Sequence, residues 1–240
     1  MPDPQIFAFS GMLVGEGDDR TNADLVDHAL GLTGADRPKV CYLPTAVGDR
    51  PEAVQHQRAD FAERRPHVDL SVLTLFDRPS VADVRSHLLD QDLVLVEGGS
   101  VVNLMALWRA HGLDEVMREC WQAGVVLAGP SAGSLCWHTG GPTDSFGDDL
   151  AAFTDGLALL PWSNGVHDDF GGQPRRTAYR SMVADGTLPG GYATEDGVGL
   201  HYVGTDLHEA VTIRRGSHAW HVAPDGAGGH SAEPVPARFV

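Results

Sequence analysis

The chain has 240 residues, enough for one generous hydrophobic core, and at 42% hydrophobic and 21% charged it reads as a folded globular domain rather than a disordered or fibrous chain. Its 33 acidic residues against 17 basic ones give a formal net charge of −16, a field that repels phosphate backbones and anionic lipid. No nucleic acid and no membrane is therefore expected among its partners, and the surplus charge serves solubility.

Three cysteines, Cys41, Cys120 and Cys136, are odd in number and widely spaced, with no C-x-x-C pair to suggest zinc or dithiol chemistry. A reducing compartment follows. Residues 1–20 show no basic start followed by an apolar run, and no stretch approaches the roughly 18 apolar residues of a membrane span. The expected location is cytoplasmic.

Taken in chain order, short apolar runs at 5–9, 40–43, 70–76, 93–96 and 125–128 read as strands, each followed by turn chemistry. Between them, 52–64, 81–89, 101–110 and 113–123 carry apolar residues at helical spacing, as Val102, Leu104, Met105 and Leu107 illustrate. Pro79-Ser80 and Leu113-Asp114 supply helix starts. This alternation predicts an α/β fold, a mostly parallel sheet flanked by helices on both faces.

Past Asp155 glycine and proline become frequent, and 199–203, 209–213 and 219–222 alternate as antiparallel strands do, so the sheet is expected to gain an antiparallel C-terminal extension. The stretch 225–240 reads as a poorly ordered or surface-draped tail. A single domain over 1–240 is the expectation.

The most informative stretch runs from Gly124 through Val125-Val126-Leu127-Ala128 into Gly129-Pro130-Ser131-Ala132-Gly133, a buried strand entering G-x-S-x-G. A serine on such a strand-to-helix turn is lifted above the sheet, and flanking glycines are needed where a Cβ would meet backbone. With 132–137 helical, Ser131 stands at a positive helix end and the Ala132 N–H faces developing negative charge. Gly98-Gly99-Ser100, also between strand and helix, offers the second oxyanion donor, with Gly99 the first choice. A tight turn or phosphate loop is the plainer alternative, but no G-x-x-x-x-G-K-[ST] or G-x-G-x-x-G opens a helix.

Twelve histidines compete for the role of base. His138 is seven residues beyond Ser131, roughly 10 Å along a helix, and is excluded by distance. His201, His208, His218 and His221 lie on or beside the antiparallel strands, where His218 and His221 face opposite sides, so no metal site is expected. His167 follows the apolar stretch 157–162 at a strand end and lies in the polar loop Val166-His167-Asp168-Asp169-Phe170, which makes it the best base. The third member is Glu195 or Asp196, adjacent and pointing to opposite faces; Asp196 is favoured because Gly197 follows it. Asp168 and Asp169 read as solvated loop charges, and Asp144 as a residue lining the pocket.

At these residues the chain resembles the peptidase E family of serine exopeptidases and their cyanophycinase relatives, on a fold like that of class I glutamine amidotransferases with its flavodoxin-like core. The resemblance is carried by Glu97-Gly98-Gly99-Ser100, Gly129-Pro130-Ser131-Ala132-Gly133-Ser134, Val166-His167-Asp168, Pro174-Arg175-Arg176-Thr177-Ala178-Tyr179 and Glu195-Asp196-Gly197. The amidotransferases use a cysteine at this corner, whereas here stands Ser131. The order Ser131, His167, Asp196 also differs from α/β-hydrolases, which place the acid before the histidine.

The resemblance implies a small peptide substrate, plausible dipeptides with an N-terminal Asp, whose carboxylate Arg175 and Arg176 would bind. Ser100 replaces the asparagine usual after the two glycines, and the C-terminal part is longer, which sets strict aspartate specificity apart from the expectation. The expected mechanism has His167 take the Ser131 proton, Ala132 and Gly99 hold the oxyanion and Asp196 steady the imidazolium, with no metal and no organic cofactor. The rivals are an esterase or amidase on a non-peptide acyl group and a catalytically silent binding module. Apolar residues over 101–108 serve either a homodimer face or the core.

Overall fold

The computed structural model describes residues 3–11 and 22–240, so the reading of residues 1–20 lies mostly outside the described residues. The first half runs β1 (Gln5–Phe9), α1 (Asn22–Leu32), β2 (Lys39–Leu43), α2 (Pro51–Arg64), β3 (Asp69–Val72), α3 (Val84–Leu89), β4 (Leu93–Val96), α4 (Val101–Ala110), α5 (Leu113–Ala123), β5 (Val126–Pro130) and α6 (Ala132–Leu135). Side chains alternate along each strand, so both sheet faces are apolar. Ile6, Ala8, Leu43, Val94, Val96 and Leu127 join one core with α3, α4 and α5, while Phe7, Phe9, Tyr42, Leu93, Leu95 and Ala128 join another with α1 and α2. Burial on both faces is what made these strands read as continuous apolar runs.

The second half runs β6 (Gly141–Thr143), β7 (Ala151–Phe153), β8 (Ser163–Val166), α7 (Arg175–Ala184), β9 (Gly191–Thr194), β10 (Val198–Val203), β11 (Asp206–Thr212), β12 (Ala219–Pro224), β13 (His230–Val235) and β14 (Ala237–Phe239). The main sheet has the order β14-β11-β10-β1-β5-β4-β2-β3. It is parallel from β1 to β3, and β10 and β11 add antiparallel strands beyond β1. A second sheet, β13-β12-β9-β8, holds β8 and β9 in parallel with α7 as their crossover, and β6 and β7 form a small pair. The fold is thus α/β, with a mostly parallel central sheet and antiparallel additions.

Some sequence expectations shift. The 225–240 stretch is not a loose tail: Asp225 Oδ1 accepts the N–H groups of Ala227 and Gly229, each at 2.8 Å, closing a turn after which β13 pairs with β12 and β14 with β11. The strand expected over 70–76 stops pairing at Val72, because Asp49 Oδ2 accepts the Leu75 and Phe76 N–H groups beyond it. The helix expected from Val81 starts at Val84, where Asp83 accepts the Ser86 N–H at 3.0 Å; Ser80 instead accepts the Thr74 N–H at 3.1 Å. The apolar residues of α4 go to the core, with Val101, Leu104, Met105 and Trp108 buried. No helix among the described residues is long and apolar enough to cross a membrane.

Candidate active site

Ser131 sits between the end of β5 and the start of α6 with φ 52° and ψ −111°, a left-handed conformation that costs a non-glycine residue on the order of 1–3 kcal/mol. The chain is pinned there from both sides. The Ser131 N–H donates to Phe9 O at 3.0 Å, and Ser131 O accepts from the Ser134 and Leu135 N–H groups at 2.9 and 2.8 Å. The flanking glycines are required by close approach: a Cβ on Gly129 would lie 2.4 Å from Val96 O, and one on Gly133 2.3 Å from it. The G-x-S-x-G pattern is therefore the imprint of the end of β4 crossing under the corner.

Gly98 and Gly99 follow β4 directly. A Cβ on Gly98 would stand 3.4 Å from Ser131 Cβ, which places this turn beside the serine. Gly99 has φ +134°, and a Cβ there would lie 2.5 Å from Ala46 O, so only glycine fits. The Gly98 N–H donates to Glu97 Oε1 at 2.9 Å and the Ser100 N–H to Ala46 O at 2.9 Å. Between them the Gly99 N–H has no protein partner among the described residues, and neither has the Ala132 N–H. Tyr42 holds Glu97 in turn, its hydroxyl donating to Oε2 at 2.5 Å; burial and then the Glu97 charge push the phenol well above its usual value.

His167 and Asp196 follow the C-terminal ends of β8 and β9, which run in parallel with Val166 opposite Thr194, so both residues emerge at one sheet edge. His167 Nδ1 lies 2.5 Å from Asp196 Oδ1, a pairing that fixes the proton on Nδ1 and leaves Nε2 as the basic nitrogen. His167 is itself left-handed, φ 58°, and its N–H donates to Ser10 Oγ at 2.9 Å. Glu195 points the other way, accepting from Arg176 Nη2 and the His218 N–H, each at 2.9 Å. Ser131 Oγ makes no hydrogen bond among the described residues, and none joins it to His167; nucleophile–base hydrogen bonds commonly form only when substrate binds.

Two expectations, those for Asp168 and Asp169, are corrected here. Asp168 is no solvated loop charge: it is 4% exposed and paired with Arg176 Nε at 2.8 Å and Arg180 Nη1 at 2.8 Å. Asp169 accepts the Asp196 N–H at 2.8 Å and pairs with Arg214 at 2.9 Å, so it steadies the acid's own backbone. Arg176, expected to bind substrate, is occupied by Asp168 and Glu195, and their charges raise its already high pKa against the effect of burial. Arg175 is buried and bonds to Asp144 Oδ2 at 3.0 Å and Gln173 Oε1 at 2.9 Å. Burial alone would raise the Asp144 pKa, but the Gln173 hydrogen bond and the Arg175 charge outweigh it and hold the carboxyl below its usual value. Asp144 is tied to the Gly99 turn through its neighbour, since Ser145 Oγ accepts the Val101 N–H at 3.1 Å.

The stretch 157–162, taken as the strand before His167, has no regular structure; the strand is Ser163–Val166. Its polar residues hid it, yet they are satisfied inside: Asn164 accepts from Ser134 Oγ at 2.7 Å and donates to Tyr192 O at 2.9 Å. Ser10, Thr194, Asp168 and Arg180 were missed as parts of the site. A serine closing the central strand β1 was the available signal, because ligands of α/β sheets gather at the carboxyl ends of strands.

His138 is fully buried, donating from Nδ1 to Ser134 O at 2.9 Å and facing the Tyr202 hydroxyl at 3.3 Å, and burial lowers its pKa to about 4. Burial raises the Cys41 and Cys120 thiols to about 12 and pushes Cys136 well above its ordinary value, so none is a ready thiolate. Among the described residues no group of three or more His, Cys, Asp or Glu side chains is arranged to hold a metal ion.

The model describing peptidase family S51 matches residues 11–210. A Bacillus subtilis (strain 168) protein described as the uncharacterized peptidase YgaJ is 38% identical over 201 residues, covering 84% of this chain and 85% of that one. In fold, the chain is similar to a crystal structure of a peptidase from an acI-B1 Actinobacterium, with TM-score 0.71 and 15% identity over 98% of this chain and 95% of that one. It is likewise similar to a Listeria monocytogenes EGD-e protein assigned provisionally to peptidase E, with TM-score 0.64 and 16% identity over 88% of this chain and 100% of that one.

Proposed function

The chain belongs to peptidase family S51 and is a serine peptidase, and from that premise we propose that Ser131 is its nucleophile, His167 its general base and Asp196 the carboxylate that orients the imidazole. His167 Nε2 takes the Ser131 proton as Oγ attacks the scissile carbonyl. The oxyanion is held by the N–H groups of Ala132 and Gly99, two donors that cost no reorganisation when charge develops. His167 then returns the proton to the leaving amine, and water releases the acyl group by the same route. The observation that carries this reading is the Ser131 corner, a φ of 52° at the strand-to-helix turn between Gly129 and Gly133, the kind of strained backbone that clusters at active sites.

The proposed substrates are short peptides, with an N-terminal aspartate as the specific case. Arg175 is the cation proposed to receive that side chain, in exchange for Asp144, since Arg176 already holds two carboxylates. A cytoplasmic setting belongs to the same proposal, supported by three buried free cysteines. The test is hydrolysis of a dipeptide panel varied at the N-terminal residue, with wild type and Ser131→Ala. The expected result is peptide cleavage, strongest for Asp-X, with Ser131→Ala at least about a thousandfold slower. Turnover of simple esters with no peptide cleaved, or an unaffected Ser131→Ala, would contradict it.

A further inference from the structure

Ser10 is fully buried and stands one residue past β1, yet parts of the chain that are far apart in sequence meet on it. The His167 N–H donates to its Oγ at 2.9 Å. The Gly197 N–H, next to Asp196, donates to its carbonyl at 3.2 Å, and its own N–H donates to Val198 O at 2.9 Å. Its neighbour Phe9 accepts the Ser131 N–H at 3.0 Å. The backbones of Ser131 and His167, and that of Gly197 beside Asp196, are thus all tethered to Phe9 or Ser10.

The hydroxyl is filled to capacity. Ser10 Oγ lies 3.0 Å from Thr194 O and 2.8 Å from Thr194 Oγ1. If Ser10 donates to the Thr194 carbonyl, it accepts from the Thr194 hydroxyl and from the His167 N–H, which uses its one proton and both lone pairs. Thr194 O also accepts the Asp168 N–H at 2.9 Å. Removing a hydroxyl so deeply buried leaves its partners unpaired, which is expensive.

His167 needs such a tether because its backbone is left-handed, φ 58°, which a β-substituted residue adopts only when its surroundings enforce it. That backbone sets the direction of the imidazole, and the Asp196 pairing depends on Asp196 being held from the same point. We propose that Ser10, with Thr194 as its partner, is a positioning residue of the catalytic apparatus: its hydroxyl holds the left-handed His167 backbone and thereby aims the imidazole between Asp196 and Ser131. The inference rests on the triad proposed above. Its content beyond that triad is that activity is set by a hydroxyl that touches no substrate and no reacting atom.

The experiment compares wild type, Ser10→Ala and the milder Thr194→Val, with Ser131→Ala as control, in dipeptide hydrolysis and in proton NMR of the downfield His167 Nδ1–H shared with Asp196. Thermal unfolding confirms that each variant is folded at the assay temperature. Ser10→Ala is expected to lower kcat about thirtyfold or more with KM within about twofold, and to shift or broaden the downfield resonance. Thr194→Val is expected to do the same more weakly, by about threefold to tenfold in kcat, and it carries the test if Ser10→Ala does not fold. Folded variants with wild-type kcat and an unchanged resonance would overturn the positioning role while leaving the triad intact. A wild type whose peptide turnover survives Ser131→Ala would instead overturn the triad itself.

Discussion

The two left-handed corners of the site are held by different forces. At Ser131 the constraint is steric: Gly129 and Gly133 leave room for Val96 O, and backbone hydrogen bonds do the rest. At His167 it is polar: Ser10, Thr194, Asp168, Asp169, Arg176 and Arg180 hold the loop through buried hydrogen bonds and ion pairs. A steric corner is written in the local sequence, because only glycine fits. A polar corner is assembled from side chains 8 to 184 positions apart, on several elements, and leaves no single local motif.

This contrast can be broken most sharply at Asp168. Asp168→Ala would leave the Arg180 guanidinium, whose side chain is 12% exposed, without its carboxylate, and breaking a buried pair from one side typically costs about 3–5 kcal/mol. Denaturant unfolding should show that loss, and peptide turnover should fall because the loop beside His167 is released. A loss below about 1 kcal/mol would mean that the polar corner does not depend on these ion pairs.

Gly133→Ala probes the steric corner. Its new Cβ would fall 2.3 Å from backbone that cannot yield without moving β4, so a destabilisation of about 3 kcal/mol is expected, together with loss of activity. Unfolding and activity measured on the same preparation check it; near-wild-type values for both would show the glycine to be incidental.

The smallest effect concerns His138, buried behind the Ser131 corner with its pKa lowered to about 4. The unfolded chain, with an ordinary imidazole near 6.5, binds the proton first as pH falls. The stability that this neutral histidine supports is therefore intact above about pH 6.5 and is lost as pH drops from there toward 4. Between pH 7 and 5.5 the loss should be about 1 kcal/mol in equilibrium unfolding, and it should vanish in His138→Gln. An unchanged slope in that variant would assign the pH dependence elsewhere.

The same distinction explains what the sequence made legible. The strands of the parallel sheet and helices α4 and α5 announced themselves because apolar residues at period 2 or 3.6 face cores on defined sides. The turns that carry Ser131, Gly99 and Ala132 were legible as turns because their glycines are forced by close backbone, Val96 O for Gly129 and Gly133 and Ala46 O for Gly99. β8 was not legible: Ser163 and Asn164 are buried polar residues whose partners Tyr179, Ser134 and Tyr192 come from elsewhere. Arg176 looked like a free cation because its partners Asp168 and Glu195 lie outside its own helix, 8 and 19 residues away, and meet it only once β8, α7 and β9 are packed. The glycines of 225–229 suggested disorder, whereas Asp225 uses their freedom to close a hairpin turn.

Reaction of the folded protein with a fluorophosphonate, followed by peptide mapping of the adduct, tests the central proposal most directly. A single adduct on Ser131, absent in Ser131→Ala and much slower to form in His167→Ala, is the predicted result. An adduct on another residue, or none on protein that still cleaves peptides, would contradict it.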